Sequence, residues 1–317
     1  MDDPLAQEEE LTLEEYEKIF QTVGHPYWVT LTGGEPFLRK DFGDIAVALC
    51  SIVRPAYLTI TSNGLLHQHI YDEVLKILKR LRNCRLILNL SLDHLYDAHD
   101  FIRGVKGNFR CLCETIERLK HIRNANFTLG INTVISTYNA DKMCGIIDYV
   151  TNKIEPDSFI VNPVLVGGEY MSSDNSGFLE KTKIAEIMNC LLAYINKSNH
   201  NKKTILTRAF RRMYYTRIKH YIKNSGMGQT CYAGYNSCFI NPYGMIESCV
   251  MKRHSFGNLR ESNYNFRHLW QGQSAQRLRK DLWRHPCSCS SVNVFYTNTI
   301  MNMMSLIEVL NNYMVMK

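Results

Sequence analysis

The 317-residue chain is 45% hydrophobic, carries a formal net charge of +7 and contains 11 cysteines. That length is enough for one large α/β domain and a smaller one. The first residues are acidic and polar rather than signal-like, and no apolar run reaches bilayer length, so the sequence reads as cytoplasmic with no membrane partner.

Residues 1–10 are expected to be frayed. Thr12 and Glu15 form a capping box that opens a helix reaching about Val23, with Leu13, Tyr16, Ile19 and Phe20 toward the core. A strand follows over 27–32 and ends in Gly33-Gly34-Glu35-Pro36. Two glycines there let a ligand approach the backbone, and a carboxylate stands beside them. Asp41 to Leu49 has helical spacing. Tyr57 to Ile60 is a strand whose tip is Thr61-Ser62-Asn63-Gly64. A helix over 72–82, a strand from Arg85 to Leu92 with the tip Ser91-Leu92-Asp93, and a helix from Gly107 to Ile122 come next. Phe127 to Ile135 is a strand carrying Asn132 and Thr133. Asp141 to Val150 is a helix, and Ser158 to Val164 a strand that ends near Gly167-Gly168.

Strand and helix therefore alternate at least five times, which predicts a parallel sheet or partial barrel with helices outside. Ligand sites in such folds sit at the C-terminal tips of the strands. Glu35, Ser62, Asn63, Ser91, Asp93 and Asn132 all fall there.

The pattern changes after residue 170. Residues 171–225 read as a linker and two helices, Leu179 to Ile195 and Thr204 to Ile222. From Ile187 to Ile246 there is no Asp or Glu, while Lys197, Lys202, Lys203, Arg208, Arg211, Arg212, Arg217, Lys219 and Lys223 accumulate. Such a stretch suits an acidic peptide partner or, more plainly, a solvated helix face. No nucleic-acid motif accompanies it, so nucleic acid is not expected.

An odd cysteine count without a secretory signal argues against a disulfide framework. Cys50, Cys84, Cys111, Cys113, Cys144 and Cys190 read as isolated. Cys231, Cys238, Cys249, Cys287 and Cys289 crowd the last third. Asn241-Pro242-Tyr243-Gly244 is a hairpin signal between Phe239-Ile240 and Met245-Ile246, so Cys238 and Cys249 should approach each other. After a helix from Phe266 to about Trp283, Pro286 presents Cys287 and Cys289. Paired C-x2-C knuckles are absent, so the looser spacing suits an iron–sulfur cluster better than zinc. Residues 292–317 read as one amphipathic helix that packs on the barrel or on a partner.

Together these motifs resemble the radical S-adenosylmethionine superfamily, in its branch with a C-terminal SPASM or twitch domain. Gly33-Gly34-Glu35-Pro36 matches the family's Gly-Gly-Glu-Pro strand. Thr61-Ser62-Asn63-Gly64 is similar to its third-strand motif. Ser91-Leu92-Asp93, followed by His99 to Gly104, resembles the ribose motif and the segment after it. Leu129 to Val134 resembles the fifth-strand motif. Cys231, with Gly244 separated from Cys249 by four residues, matches the opening of the small domain, and Gly257-Asn258-Leu259 and Trp270 also agree.

The resemblance implies a partial (β/α)6 TIM-like barrel over 11–170 and an auxiliary iron–sulfur domain over 226–291. It implies S-adenosylmethionine bound by Gly33, Gly34, Glu35, Pro36, Ser62, Asn63, Ser91, Asp93, Arg103 and Asn132, with Glu35 facing the methionine ammonium. It implies one auxiliary 4Fe-4S cluster held by Cys231, Cys249, Cys287 and Cys289, with Cys238 as a substitute. An electron donor such as flavodoxin or ferredoxin is expected. The family activity is radical oxidation or cross-linking, here of a peptide; a small-molecule dehydrogenase and a non-catalytic homologue are the alternatives.

One departure matters. The family's catalytic 4Fe-4S cluster is held by a C-x3-C-x2-C loop ahead of the Gly-Gly-Glu-Pro strand, and this sequence has no cysteine before Cys50. The first strand and cluster loop are therefore expected to be missing, either because the chain is a fragment or because it is a degenerate homologue. A barrel lacking that strand should expose a sheet edge.

Overall fold

The computed structural model describes residues 9–164, 179–197, 205–224, 230–251, 254–285 and 291–316. Strands β1 (Trp28–Leu31), β2 (Tyr57–Ser62), β3 (Arg85–Ser91), β4 (Phe127–Ile135) and β5 (Ser158–Pro163) form an all-parallel sheet in that order. Between them run α2 (Phe42–Ile52), α3 (His67–Arg80), α4 (Tyr96–Arg103), α5 (Asn108–Lys120) and α6 (Met143–Tyr149), with α1 (Leu13–Val23) ahead of β1. The fold is the expected partial barrel. The third helix starts five residues earlier than the 72–82 reading, and α4 was not foreseen; its eight residues are too few to show a clear period.

The register explains the two faces of the sheet. Leu58, Ile60, Leu86, Leu88, Leu90, Leu129 and Ile131 are buried against the helices. Side chains alternate along a strand, so the opposite face carries Thr30, Thr59, Thr61, Asn89, Asn132 and Asn162. Two contacts confirm that these share one side: Trp28 Nε1 donates to Thr59 Oγ1 at 2.9 Å, and Asn162 Nδ2 donates to Asn132 Oδ1 at 2.9 Å. The concave face is thus polar, as a ligand-holding barrel interior requires.

The sheet has two unlike edges. At β5, helices α7 (Lys181–Lys197) and α8 (Ile205–Asn224) pack alongside, and the edge N–H of Val161 donates to the buried Tyr215 hydroxyl at 3.1 Å. At β1, which pairs with β2 alone among the described residues, Tyr27 and Trp28 stay 66% and 48% exposed beside the Tyr57 ring. That is the exposed edge the sequence led us to expect.

The described cations of the basic stretch are engaged in contacts within the protein. Arg208 is buried and donates to the Ile195 carbonyl; Arg211 donates to Ser158 Oγ, Arg212 to Asn196, and Lys219 to Asn189. Arg217 pairs with Glu308 at 2.6 Å. Lys202 and Lys203, and the side chains of Lys197 and Lys223, lie outside the described residues. Cys144 of α6 and Cys190 of α7 form a disulfide. This corrects the reading of both as isolated: sequence spacing does not reveal that two helices lie side by side.

The small domain is an antiparallel sheet of β6 (Phe239–Ile240), β7 (Met245–Glu247) and β8 (Ser255–Asn258), followed by α9 (Phe266–Gln271) and α10 (Gln273–Arg284). The predicted hairpin forms. Asn241 Oδ1 accepts from the N–H groups of Tyr243 and Met245, and Gly244 takes the left-handed conformation at φ +88°. The single helix read from Phe266 to Trp283 is two helices, because Gly272 adopts an extended conformation between them.

Helix α1 joins the two parts. Leu11 and Ile19 share a core with Ile246, Phe256, Leu259 and Phe266. The predicted capping box is present, with Thr12 N–H donating to Glu15 Oε2 at 2.8 Å. The same Glu15 carboxylate accepts from Arg260 Nε at 2.7 Å and from the Tyr264 hydroxyl at 2.9 Å. At the other end, α11 (Val292–Ile300) and α12 (Met303–Met316) occupy the region read as one helix, and both pack on α8.

Candidate functional site

Glu35 is the hinge between the first two strand tips. Its backbone is extended, and it caps a short 3-10 turn, Pro36–Leu38. Oε1 accepts from Phe37 N–H at 3.2 Å and from Ser62 Oγ at 2.9 Å; Oε2 accepts from Asn63 N–H at 2.6 Å. Two oxygens of a carboxylate offer about four acceptor positions, so one remains for a ligand. Glu35, Ser62 and Asn63, singled out separately in the sequence, are therefore one unit.

The preceding glycines carry the most pointed observation. Neither Gly33 nor Gly34 has positive φ, and among the described residues no atom beyond the glycine's chain neighbours lies within 4 Å of where a Cβ would stand on either. The protein's own packing does not ask for glycine at these two positions. Gly130 differs: a side chain there would collide with Asn89 Oδ1. Bare backbone at Gly33 and Gly34 leaves open space at the tip of β1, which is what a closely approaching ligand needs.

Asp93 forms the second unit. It is 7% exposed, and Oδ2 receives Arg103 at 2.7 Å while Oδ1 accepts from Val134 N–H at 2.9 Å. Arg103 closes α4, immediately before the left-handed Gly104. Its Nε is buried and has no hydrogen-bond partner. The Asp93 N–H donates to Nδ1 of the buried His99, which places that ring's proton on Nε2. Burial pushes the His99 pKa down, and the Arg103 charge acts the same way, so the ring stays neutral. Asn139, only 1% exposed, ties the Asp93 and Val134 carbonyls together, both at 2.7 Å. Asn139 was not foreseen; its partners lie up to 46 positions away, and a lone Asn after a strand reads as a turn.

Ser91 and Asn132 are register neighbours on the concave face. Beside them the Oδ1 atoms of Asn89 and Asn162 are buried without partners. Unpaired buried amide oxygens are costly and suit a ligand that brings N–H or O–H donors.

In the small domain, Phe239 faces Glu247 across the hairpin. Cys238 and Cys249 therefore lie at its open end, as expected, and Cys231 enters just ahead of the Ala233–Ser237 bridge. Burial pushes the Cys238 thiol up to about 12, with Arg279 pulling the other way. Arg279 itself lies over the Trp270 ring at 4.3 Å and donates to the Gly234 carbonyl at 2.6 Å. Cys287 and Cys289 lie outside the described residues. Among the described residues no three His, Cys, Asp or Glu side chains gather as a metal-binding set.

A parallel half-barrel with polar strand tips and a small cysteine-bearing hairpin domain defines a recognisable class. The Radical SAM superfamily model matches residues 5–150, and the iron-sulfur cluster-binding SPASM domain matches residues 231–291. The chain belongs to the radical SAM superfamily, in its SPASM-bearing branch.

Sporulation killing factor maturation protein SkfB of Bacillus subtilis is 31% identical over 124 residues, 39% of this chain and 28% of its own. Antilisterial bacteriocin subtilosin biosynthesis protein AlbA, also from Bacillus subtilis, is 24% identical over 273 residues, 82% of this chain and 54% of its own. The chain thus spans about half, or less, of these relatives. The structure of native anSMEcpe with bound AdoMet superposes with a TM-score of 0.59 at 16% identity, covering 95% of this chain and 87% of that one. That likeness establishes the fold.

The cofactors of this family are S-adenosylmethionine and iron–sulfur clusters, and the residues present fit them unequally. The open glycine tip, the unpartnered Arg103 Nε and the unpaired Oδ1 atoms of Asn89 and Asn162 fit a zwitterionic nucleoside ligand. The thiols at one end of the hairpin suit an iron–sulfur donor set in kind, with Cys287 and Cys289 needed to complete it. Among the described residues no set of cysteines is arranged to hold the catalytic cluster. The first cysteine of the sequence, Cys50, is buried in α2 beside Cys84. Among the described residues no helix is long and apolar enough to cross a membrane.

Proposed function

We propose that this chain is the S-adenosylmethionine-binding half-barrel and auxiliary-cluster domain of a peptide-modifying radical protein. The observation that carries the reading is the bare tip at Gly33 and Gly34, where glycine is present but the fold does not require it. In this reading Glu35 receives the methionine ammonium at its remaining acceptor position, as a charge-assisted hydrogen bond. Ser62 and the Asn63 N–H hold that carboxylate in place. Asp93 and Ser91 accept from the ribose hydroxyls, while Arg103 fixes Asp93 and offers its free Nε to the ligand's carboxylate. Asn132, with Asn89 and Asn162, lines the concave face under the adenosine. An auxiliary cluster on Cys231, Cys249, Cys287 and Cys289 supplies one-electron chemistry or a substrate anchor when bound, with Cys238 standing in for one of the last pair. A peptide is favoured as substrate because SkfB and AlbA are named for maturing or making peptide products.

Among the described residues no set of ligands gathers for a catalytic cluster, and no step is routed through one.

The test is equilibrium binding of S-adenosylmethionine to the anaerobically purified chain. Gly34→Ala should weaken binding by about tenfold, or ~1.4 kcal/mol, with an unchanged melting temperature. No binding to the wild type, or equal binding to Gly34→Ala, overturns the proposal.

A further inference from the structure

Helix α12 is apolar on two sides, and among the described residues only one of them is used. Its inner side packs on the body of the protein: Ser305 and Val309 are each 2% exposed, and Glu308 turns inward to Arg217. Its outer side carries Met303, Ile307, Leu310 and Met314, exposed to 78%, 45%, 56% and 68%. The steps between them are four, three and four residues. At about 100° per residue these four side chains fall within an arc of roughly 60°. A narrow seam at alternating four- and three-residue steps is the pattern by which one helix seats its side chains between those of another.

The outer side also lacks what another occupant would need. Glu308 is the only acidic or basic side chain between Met303 and Met316, and it is engaged inward. The polar residues flanking the seam, Asn311 and Asn312, are neutral. Among the described residues no cation stands in the stripe to attract an anionic lipid surface, and no like charges oppose a second copy of the same stripe. Met304 and Val315, both 74% exposed, widen the seam, and Ile300 on α11 continues it at 54%. Seven long apolar side chains about half or more exposed approach the scale of a standard interface, about 800 Å² per partner. A contiguous patch of that size is uncommon on a monomer.

We propose that the outer face of α12 is a self-complementary interface, and that two copies of this chain associate through it about a two-fold axis. The proposal is independent of the cofactor reading, since α12 carries none of the candidate site residues.

The test is the mass in solution of the full chain, by light scattering after size exclusion across a concentration series. The wild type should approach the mass of two chains. Ile307→Asp combined with Leu310→Asp should be monomeric, with unchanged far-UV circular dichroism, because both residues already face solvent. Leu310→Cys should add an intermolecular disulfide that the wild type lacks on a non-reducing gel. A wild type that remains monomeric at every concentration, an aspartate variant that stays dimeric, or a monomer that co-floats with phosphatidylglycerol vesicles overturns the proposal.

Discussion

The carboxylates at the sheet edge and the thiols of the small domain are positioned in opposite ways. Glu35 and Asp93 are each gripped by donors from neighbouring strand tips, several of them backbone N–H groups. Their geometry is fixed by the parallel register itself and is present before any ligand arrives. The thiols depend on a two-residue strand, a hairpin and a domain tied to the body by α1 and by Tyr232 and Asn236 donating to Asn298 and Thr297 of α11. The sheet edge is therefore a preorganised site, while the cysteine end is one whose order follows from docking. Preorganisation reduces what a ligand must spend on ordering its site, so damage at the edge should show in binding, and damage at the anchor should show in the small domain alone.

The largest effect expected concerns the body of the half-barrel. The Cys144–Cys190 bridge closes a separation of 46 residues, which in the chain-entropy model is worth about 4 kcal/mol. A thiol reductant should lower the main melting transition accordingly, and Cys190→Ser should reproduce the loss and remove any further response to reductant. Next comes Asp93→Ala. It leaves Arg103 without its partner and the Val134 N–H unsatisfied, at a cost of about 3 kcal/mol, and it should abolish S-adenosylmethionine binding. Asp93→Asn should lose less stability, because an amide oxygen can still accept from Val134. Hydrogen exchange in β6, β7 and β8 should be unchanged in both variants. If those strands loosen, the two regions are not separable as argued.

The same contrast governs what could be read in the sequence. The five strands, the capping box and the hairpin were legible because their determinants are local: alternation, Thr12 with Glu15, and Asn241 to Gly244. Glu35, Ser62, Asn63 and Asp93 were legible as strand-tip residues, since each tip ends its own apolar run. Their grouping into two units was not, because Glu35 meets Ser62 across 27 positions and Asp93 meets Val134 across 41. Asn139 and the Cys144–Cys190 pair escaped for the same reason. The basic stretch was legible only as charge: composition counted its cations, but only packing shows that Arg208, Arg211 and Arg217 tie α8 to α7, β5 and α12. Helix α12 reversed that pattern: its inward side was expected, whereas its outward seam became visible only once exposure could be assigned residue by residue.

The smallest effect expected tests the anchor. Glu15 accepts from Arg260 and Tyr264 while closing the α1 cap, and its pKa falls from 4.5 to about 2, chiefly because of the Arg260 hydrogen bond. A carboxylate with a depressed folded-state pKa stabilises fully above its unfolded value and loses that contribution as pH falls through the folded one. The window here runs from about pH 4.5 down to about 2. The side chain is 13% exposed, and with partial solvent screening the contribution is about 2 kcal/mol. Acid titration in that window should release the small domain, seen as faster exchange at Ile246, Phe256 and Leu259, while β3 and β4 stay protected. Glu15→Gln should show the released state already at neutral pH and should flatten the acid dependence. If the half-barrel strands open together with the small domain in that variant, α1 is a shared core element and not a detachable anchor, and the two regions stand or fall as one.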